Sequence, residues 1–225
     1  RVRKSLMSAI YSCRALADKH EGGHEGALSL SLPRASPMVA TMNEHFDWAF
    51  GYCAARGYAQ PVAATLPSAL WFDVGKPDQA GRFILGNASD EAAPAAFAAV
   101  DAPHIYVDFA APRDAILPHI PQNWQPRDPM WLMATGTDMP AARPTPDFIF
   151  EVDESAYRFE AVARHVDGSL AARGVLGIHG TTAVYDQIVT EAQFGRRGLG
   201  SAIMAELGRC ALRRNVTECL LVATS

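Results

Sequence analysis

Apolar side chains recur at Val2, Leu6, Ile10, Cys13 and Leu16, a helical spacing that predicts a helix over residues 2–19. A stretch rich in Gly, Ser and Pro follows from Gly22 to Pro37 and reads as a loop. Phe46, Phe50 and Cys53 share one face of a second helix predicted over 42–56, which Gly57 and Pro61 bound. Residues 70–87 hold two apolar runs, LWFDVG and GRFILG, separated by the turn-forming KPDQA, and predict a pair of strands. An Ala-rich helix over 90–100, a strand over His104–Phe109, a short helix around Arg113–His119 and a strand over Met130–Ala134 complete this half.

Residues 136–146, GTDMPAARPTP, form the best linker candidate, and the composition shifts after them. The expected organisation is therefore a helix-and-sheet module at 1–140 and a second unit at 147–225. Tyr157, Phe159, Ala161 and Ala163 alternate with Arg158, Glu160 and Arg164, the period of a half-exposed strand. Asp167-Gly168 is a hairpin-turn signal, with a return strand over 169–178. His179-Gly180-Thr181 turns the chain into a third strand over 182–190. Leu199, Ile203, Leu207 and Cys210 line one face of a helix that opens at Gly198, and the apolar run CLLVA at 219–223 predicts a buried strand. No short-period repeat is present. The fold class expected is mixed α/β, an α+β arrangement around a mixed sheet.

Composition narrows the picture only modestly. Of 225 residues, 49% are hydrophobic and 20% charged, and the net charge is -4. That gives no basic footprint for nucleic acid. The apolar runs fall short of the roughly 20 residues a membrane helix needs, and the N-terminus lacks the apolar core and cleavage site of a secretory signal. Cys13, Cys53, Cys210 and Cys219 form no CxxC pair, so no structural zinc or disulfide framework is expected, and a reducing cytoplasm is the simplest setting. The chain begins at Arg1 rather than Met and stops just after a strand-like run, so both ends read as cut.

The chemistry concentrates at Gly195–Ser201, between a strand and a helix. A helix N-terminus offers backbone N–H groups without partners and the positive end of the helix dipole, which together favour a phosphate. Gly195, Gly198 and Gly200 remove Cβ atoms and let an anion approach closely, and Arg196 and Arg197 add charge. Neither the P-loop pattern nor the GxGxxG fingerprint fits. Taken alone, the loop signals a phosphate-bearing ligand or merely a tight helix start.

Residues 182–223 resemble the cofactor-binding core of the GNAT N-acetyltransferase superfamily, whose motif is Gln/Arg-x-x-Gly-x-Gly/Ala after the fourth strand. Gly198 and Gly200 match the two small positions, whereas Gly195 stands where Gln or Arg is usual. The hairpins over 157–190 match the family's strand order. The resemblance implies a GNAT fold in the C-terminal half. The N-terminal half is a module of unknown role, and its mixture of strands and helices suggests, by analogy alone, a degenerate GNAT-like unit. It implies acetyl-CoA as acetyl donor, held by Ile188, Thr190, Arg196, Arg197, Gly198, Gly200 and Ser201, with a gap between strands 182–190 and 218–223. The implied reaction is direct attack of a primary amine, on a small molecule or a peptide, upon the thioester.

Asp186 is the first candidate for the base or for orienting the amine, and the alternative is a structural carboxylate paired with a nearby Arg. Tyr185 and Glu160 are weaker candidates. The family's thiolate-protonating Tyr follows its fifth strand, beyond Ser225. The mild acidity favours a cationic small-molecule acceptor. A homodimer is left open; neither nucleic acid, membrane nor resident metal is expected. A non-catalytic acetyl-CoA sensor is the alternative function.

His20-Glu21-Gly22-Gly23-His24 formally matches the HExxH zinc motif, but adjacent glycines disfavour the helix it needs, by about 1 kcal/mol each. Phe46, Trp48, Phe50, Trp71, Phe72 and Trp124 read as core or interdomain packing, with lining of the acceptor pocket as the lesser reading. His165 and His179 lie near the presumed site strands.

Overall fold

A computed structural model of the chain describes residues 6–16, 44–64, 66, 68–86, 92–100, 102–137 and 145–224. In chain order the elements are β1 (Leu6–Ala15), α1 (Glu44–Arg56), β2 (Val62–Ala63), β3 (Ala69–Lys76), β4 (Gln79–Leu85), α2 (Ala92–Ala98) and β5 (Ile105–Phe109). Then come α3 (Arg113–Ile116), β6 (Trp124–Pro126), β7 (Met130–Thr135), β8 (Phe148–Glu154), β9 (Arg158–His165), β10 (Leu170–His179), β11 (Thr182–Thr190), α4 (Leu199–Arg213) and β12 (Glu218–Thr224). The HExxH segment and most of the Gly136–Pro146 stretch lie outside the described residues.

The helix expected over 2–19 is not formed; its described part is β1. Tyr11 to Arg14 pair antiparallel with Phe109 to Tyr106, and Cys13 to Ala15 pair with Pro126 to Trp124. Ile10, Tyr11, Ser12, Cys13 and Ala15 are all buried. A strand covered on both faces shows no polar alternation, so its apolar positions mimic a helical period.

The chain divides into two compact units. One holds the described residues of 8–46 and 61–131, together with Thr224. Its strands run in the order β2-β3-β4-β5-β1, with β6 beside β1. β4 and β5 are parallel, joined through α2, and pair from Gly81↔Ile105 to Leu85↔Phe109, the last residue of each. Trp71, Phe83, Val107, Phe109 and Trp124 pack with Phe97 of α2 in its core.

The other unit holds 47–60 and the described residues of 1–7 and 132–223. Here β8, β9, β10 and β11 form an antiparallel meander and β12 joins β11 in parallel. Asp167-Gly168 makes the β9–β10 turn, with Gly168 at φ +89 and its N–H donating to the carbonyl of His165 at 2.8 Å. Leu199, Ile203, Leu207 and Cys210 of α4 are buried against Phe159, Leu176 and Tyr185, so the helical face read from the sequence is the one that packs. Each fully buried aliphatic side chain contributes roughly 1.5–3 kcal/mol.

The opposite face of this sheet carries α1, and two glycines set the spacing. A Cβ on Gly177 of β10 would lie 2.1 Å from the carbonyl oxygen of Gly51 and 2.3 Å from the amide nitrogen of Ala55. A Cβ on Gly51 would lie 2.4 Å from Cγ2 of Val184. Only backbone-to-backbone approach fits there. Gly57, at φ +70, ends the helix, and the N–H of Tyr58 donates to the carbonyl of Cys53 at 2.9 Å, closing the last turn.

Candidate functional site

The parallel ladder between β11 and β12 runs from Thr182↔Glu218 to Tyr185↔Leu221, although β11 continues to Thr190 and β12 to Thr224. The strands part where β11 is irregular. Arg173 pairs with Val189 and Val175 with Asp186, so Gly174 alone faces both Gln187 and Ile188. Gln187 takes φ +54, the left-handed conformation of a β-bulge. The bulge increases the local twist and turns the end of β11 away from its parallel neighbour. Backbone groups of β11 beyond Tyr185 are thereby released on the β12 side of the strand.

The extra residue also resets which way the side chains point. Ala183 and Tyr185 face α4. After the bulge so does Ile188, whose Cδ1 covers Gly174 beside Cγ2 of Ile203. Thr190 reaches the first turn of α4, its Oγ1 being the nearest atom to a Cβ built on Gly200. Asp186 points to the other face, toward α1.

From Thr190 the chain makes one short 3-10 turn, Ala192–Phe194, and Phe194 anchors it. The Phe194 ring is 5.6 Å from Phe148 and 5.5 Å from His165, and the Arg197 guanidinium lies 5.7 Å above it. Arg196, at φ +62, and Gly198, at φ +79, then reverse the chain into α4. Both arginines are exposed. Gly198 is the N-cap, and no side chain caps the helix, so the first-turn N–H groups face outward without an intrahelical partner.

The glycines differ in what the chain itself demands. At Gly198 the positive φ favours glycine. At Gly200 it does not: an added Cβ would meet nothing nearer than Thr190 Oγ1 at 3.8 Å. Glycine within a helix costs up to about 1 kcal/mol relative to alanine, and no packing constraint explains that cost here. Open space above an uncapped helix start, beside a released strand edge, is what a phosphate with an extended amide-bearing arm requires. The structure brings together the residues that the resemblance assigns to the cofactor: Gly198, Gly200 and Ser201 at the helix start, Arg196 and Arg197 beside them, Ile188 and Thr190 at the end of β11.

Asp186 has a partner that sequence reading did not identify. Both its oxygens accept from Arg56 of α1: Nε donates to Oδ2, and Nη2 donates to Oδ1 at 3.0 Å. The guanidinium lies 5.2 Å from the ring centre of Tyr52, which stacks on Trp48 at 5.0 Å. Burial works against the Arg56 charge, but the hydrogen bond to Asp186, with Tyr52 and Tyr58 nearby, outweighs it and holds the pKa above its ordinary value. The paired-carboxylate alternative raised for Asp186 is thus realised in geometry. Accepting a proton from an amine requires Asp186 to do so while held in this fork.

Tyr185 is buried against α4 and donates to the carbonyl of Met204 at 3.3 Å. Burial, with Cys219 adding to it, pushes its pKa far up. Glu160 accepts from Arg158 at 2.7 Å, and Arg158 also donates to the carbonyl of Ala55. The His165 ring lies tilted against Phe194, and His179 stacks on Phe50 at 4.3 Å.

No protein-family model matches this chain, and no curated protein is significantly similar to it. Among solved structures, a GCN5-related N-acetyltransferase from Kribbella flavida superposes on 81% of this chain and 86% of its own, with a TM-score of 0.54 and 14% identity. A functionally unknown conserved protein from Staphylococcus epidermidis ATCC 12228 aligns over 42% of this chain and 50% of its own, with a TM-score of 0.33 and 17% identity. The first likeness concerns the fold: the chain is a mixed α/β protein of GNAT architecture.

Proposed function

We propose that this chain is an acetyl-CoA-dependent N-acetyltransferase that acts on a primary amine. The observation that carries the reading is the conjunction at one place of a bulged strand parting from its parallel neighbour and an uncapped, glycine-opened helix start. Acetyl-CoA, when bound, supplies an activated acetyl thioester. First-turn N–H groups at Gly200 and Ser201, with Arg196 and Arg197, would hold its pyrophosphate. Backbone groups around Ile188 and Thr190 would pair with its amide-bearing arm as a further strand does.

Asp186 sits one residue past the last paired position of the two strands, at the apex of the gap. Arg56 fixes its orientation. Each oxygen keeps a second acceptor position, so an amine arriving from the α1 face can donate an N–H there as it attacks, and shed its proton in that direction. Positioning the amine and excluding alternatives of approach supply most of the rate in such a transfer.

The test is turnover, followed as free thiol released from acetyl-CoA in the presence of primary amines. Asp186→Asn should lower acetyl transfer roughly 100-fold, in keeping with loss of a proton-accepting group. Its CoA affinity should stay within a few fold. A variant with undiminished turnover would remove Asp186 from the chemistry. A wild-type protein that binds acetyl-CoA yet acetylates no amine would favour the sensor reading.

A further inference from the structure

The pair formed by Arg56 and Asp186 leaves part of each group's bonding capacity uncommitted. A guanidinium carries five N–H donors in one rigid plane. Asp186 engages the edge made by Nε and Nη2. The remaining edge, with parallel N–H groups on Nη1 and Nη2, has no protein partner among the described residues. That edge is itself a fork with the spacing of a carboxylate.

Its orientation is built rather than incidental. Asp186 holds the guanidinium in plane, the Tyr52 ring supports it at 5.2 Å, and Tyr58 lies near enough to act on its charge. The Gly51–Gly177 contact fixes the helix that carries it. The group is also reachable, since Arg56 keeps 26% of its side-chain surface exposed and Asp186 keeps 15%.

A free cationic fork beside a carboxylate with open acceptor positions is complementary to a molecule that carries an ammonium next to a carboxylate. We propose that the acceptor is an α-amino acid, its carboxylate received by the outer edge of Arg56 and its amino group by Asp186. Naming this ligand an acceptor rests on the acetyltransferase reading; the head-group site itself does not. The exposed side chain of such a ligand would decide which amino acid is preferred.

Calorimetry on the full chain tests this with the twenty standard amino acids, each beside the amine left by removing its carboxylate. At least one acid should bind tenfold or more tightly than its amine. Arg56→Lys keeps the charge but lacks the fork, and should reduce that preference to under threefold with CoA affinity unchanged. Arg56→Gln provides a second variant, with thermal midpoints confirming that both fold. Equal binding within every pair, preference for the amines, no binding at all, or a preference that survives Arg56→Lys would each overturn the proposal. An acid preference in a protein that does not bind acetyl-CoA would sink the acetyltransferase reading while leaving the head-group site standing. CoA binding without an acid preference would do the reverse.

Discussion

At the scale of single residues, the glycines of the loop separate local need from a ligand's need. Gly198 adopts φ +79 because the turn into α4 demands it, whereas Gly200 has no steric reason within the chain. Gly200→Ala should therefore leave the fold as stable as before or raise stability by up to about 1 kcal/mol, which for a chain of this size is a rise of roughly 2–4 °C in Tm. Scanning calorimetry checks this, and a clear fall would mean that the first turn of α4 is packed more tightly than its geometry indicates. This much of the site was legible in the sequence, because glycine spacing before a helix is a statement about local backbone. Arg56 was not. An isolated Asp186 in an apolar strand calls for a cation, but its partner lies 130 positions earlier, and nothing local marks which arginine it is.

At the scale of elements, the meander β8–β11 and helix α4 were readable because alternation and a single apolar face are signatures of half-exposed strands and of a helix on a sheet. β1 was not, for the reason already given: burial on both faces erases the pattern. The bulge at Gln187 is equally illegible, since a glutamine at positive φ has no sequence signal. The docking of α1 depends on two glycines that meet across sequence. Gly177→Ala would place a Cβ against the backbone of Gly51 and Ala55, which cannot yield as a side chain can. The expected loss is about 1–3 kcal/mol, or roughly 2–12 °C in Tm, together with weaker binding at Arg56 and Asp186. Gly174→Ala meets only side-chain ends of Ile188, Ile203 and Leu207 and should cost less. Thermal melts of the two variants, compared side by side, check the order, and the reverse order would contradict the helix-docking account.

At the scale of the whole molecule, each unit contains a strand, a helix and a parallel return strand: β4-α2-β5 in one, β11-α4-β12 in the other. The two pairs differ where function would differ. β4 and β5 stay paired to their last residues, whereas β11 and β12 part after Tyr185↔Leu221. On the proposed reading, the one parted pair of these two gives one acetyl-CoA site per chain. The most direct measurement is a calorimetric titration of acetyl-CoA into the wild type and into Gly200→Glu, which sets a carboxylate where the phosphate would lie while the first turn of α4 has room for the side chain. The account predicts micromolar binding at one site per chain, weakened at least tenfold in Gly200→Glu while its thermal midpoint stays close to that of the wild type. Absence of binding by the folded wild type, two sites per chain, or equal affinity in Gly200→Glu would contradict it.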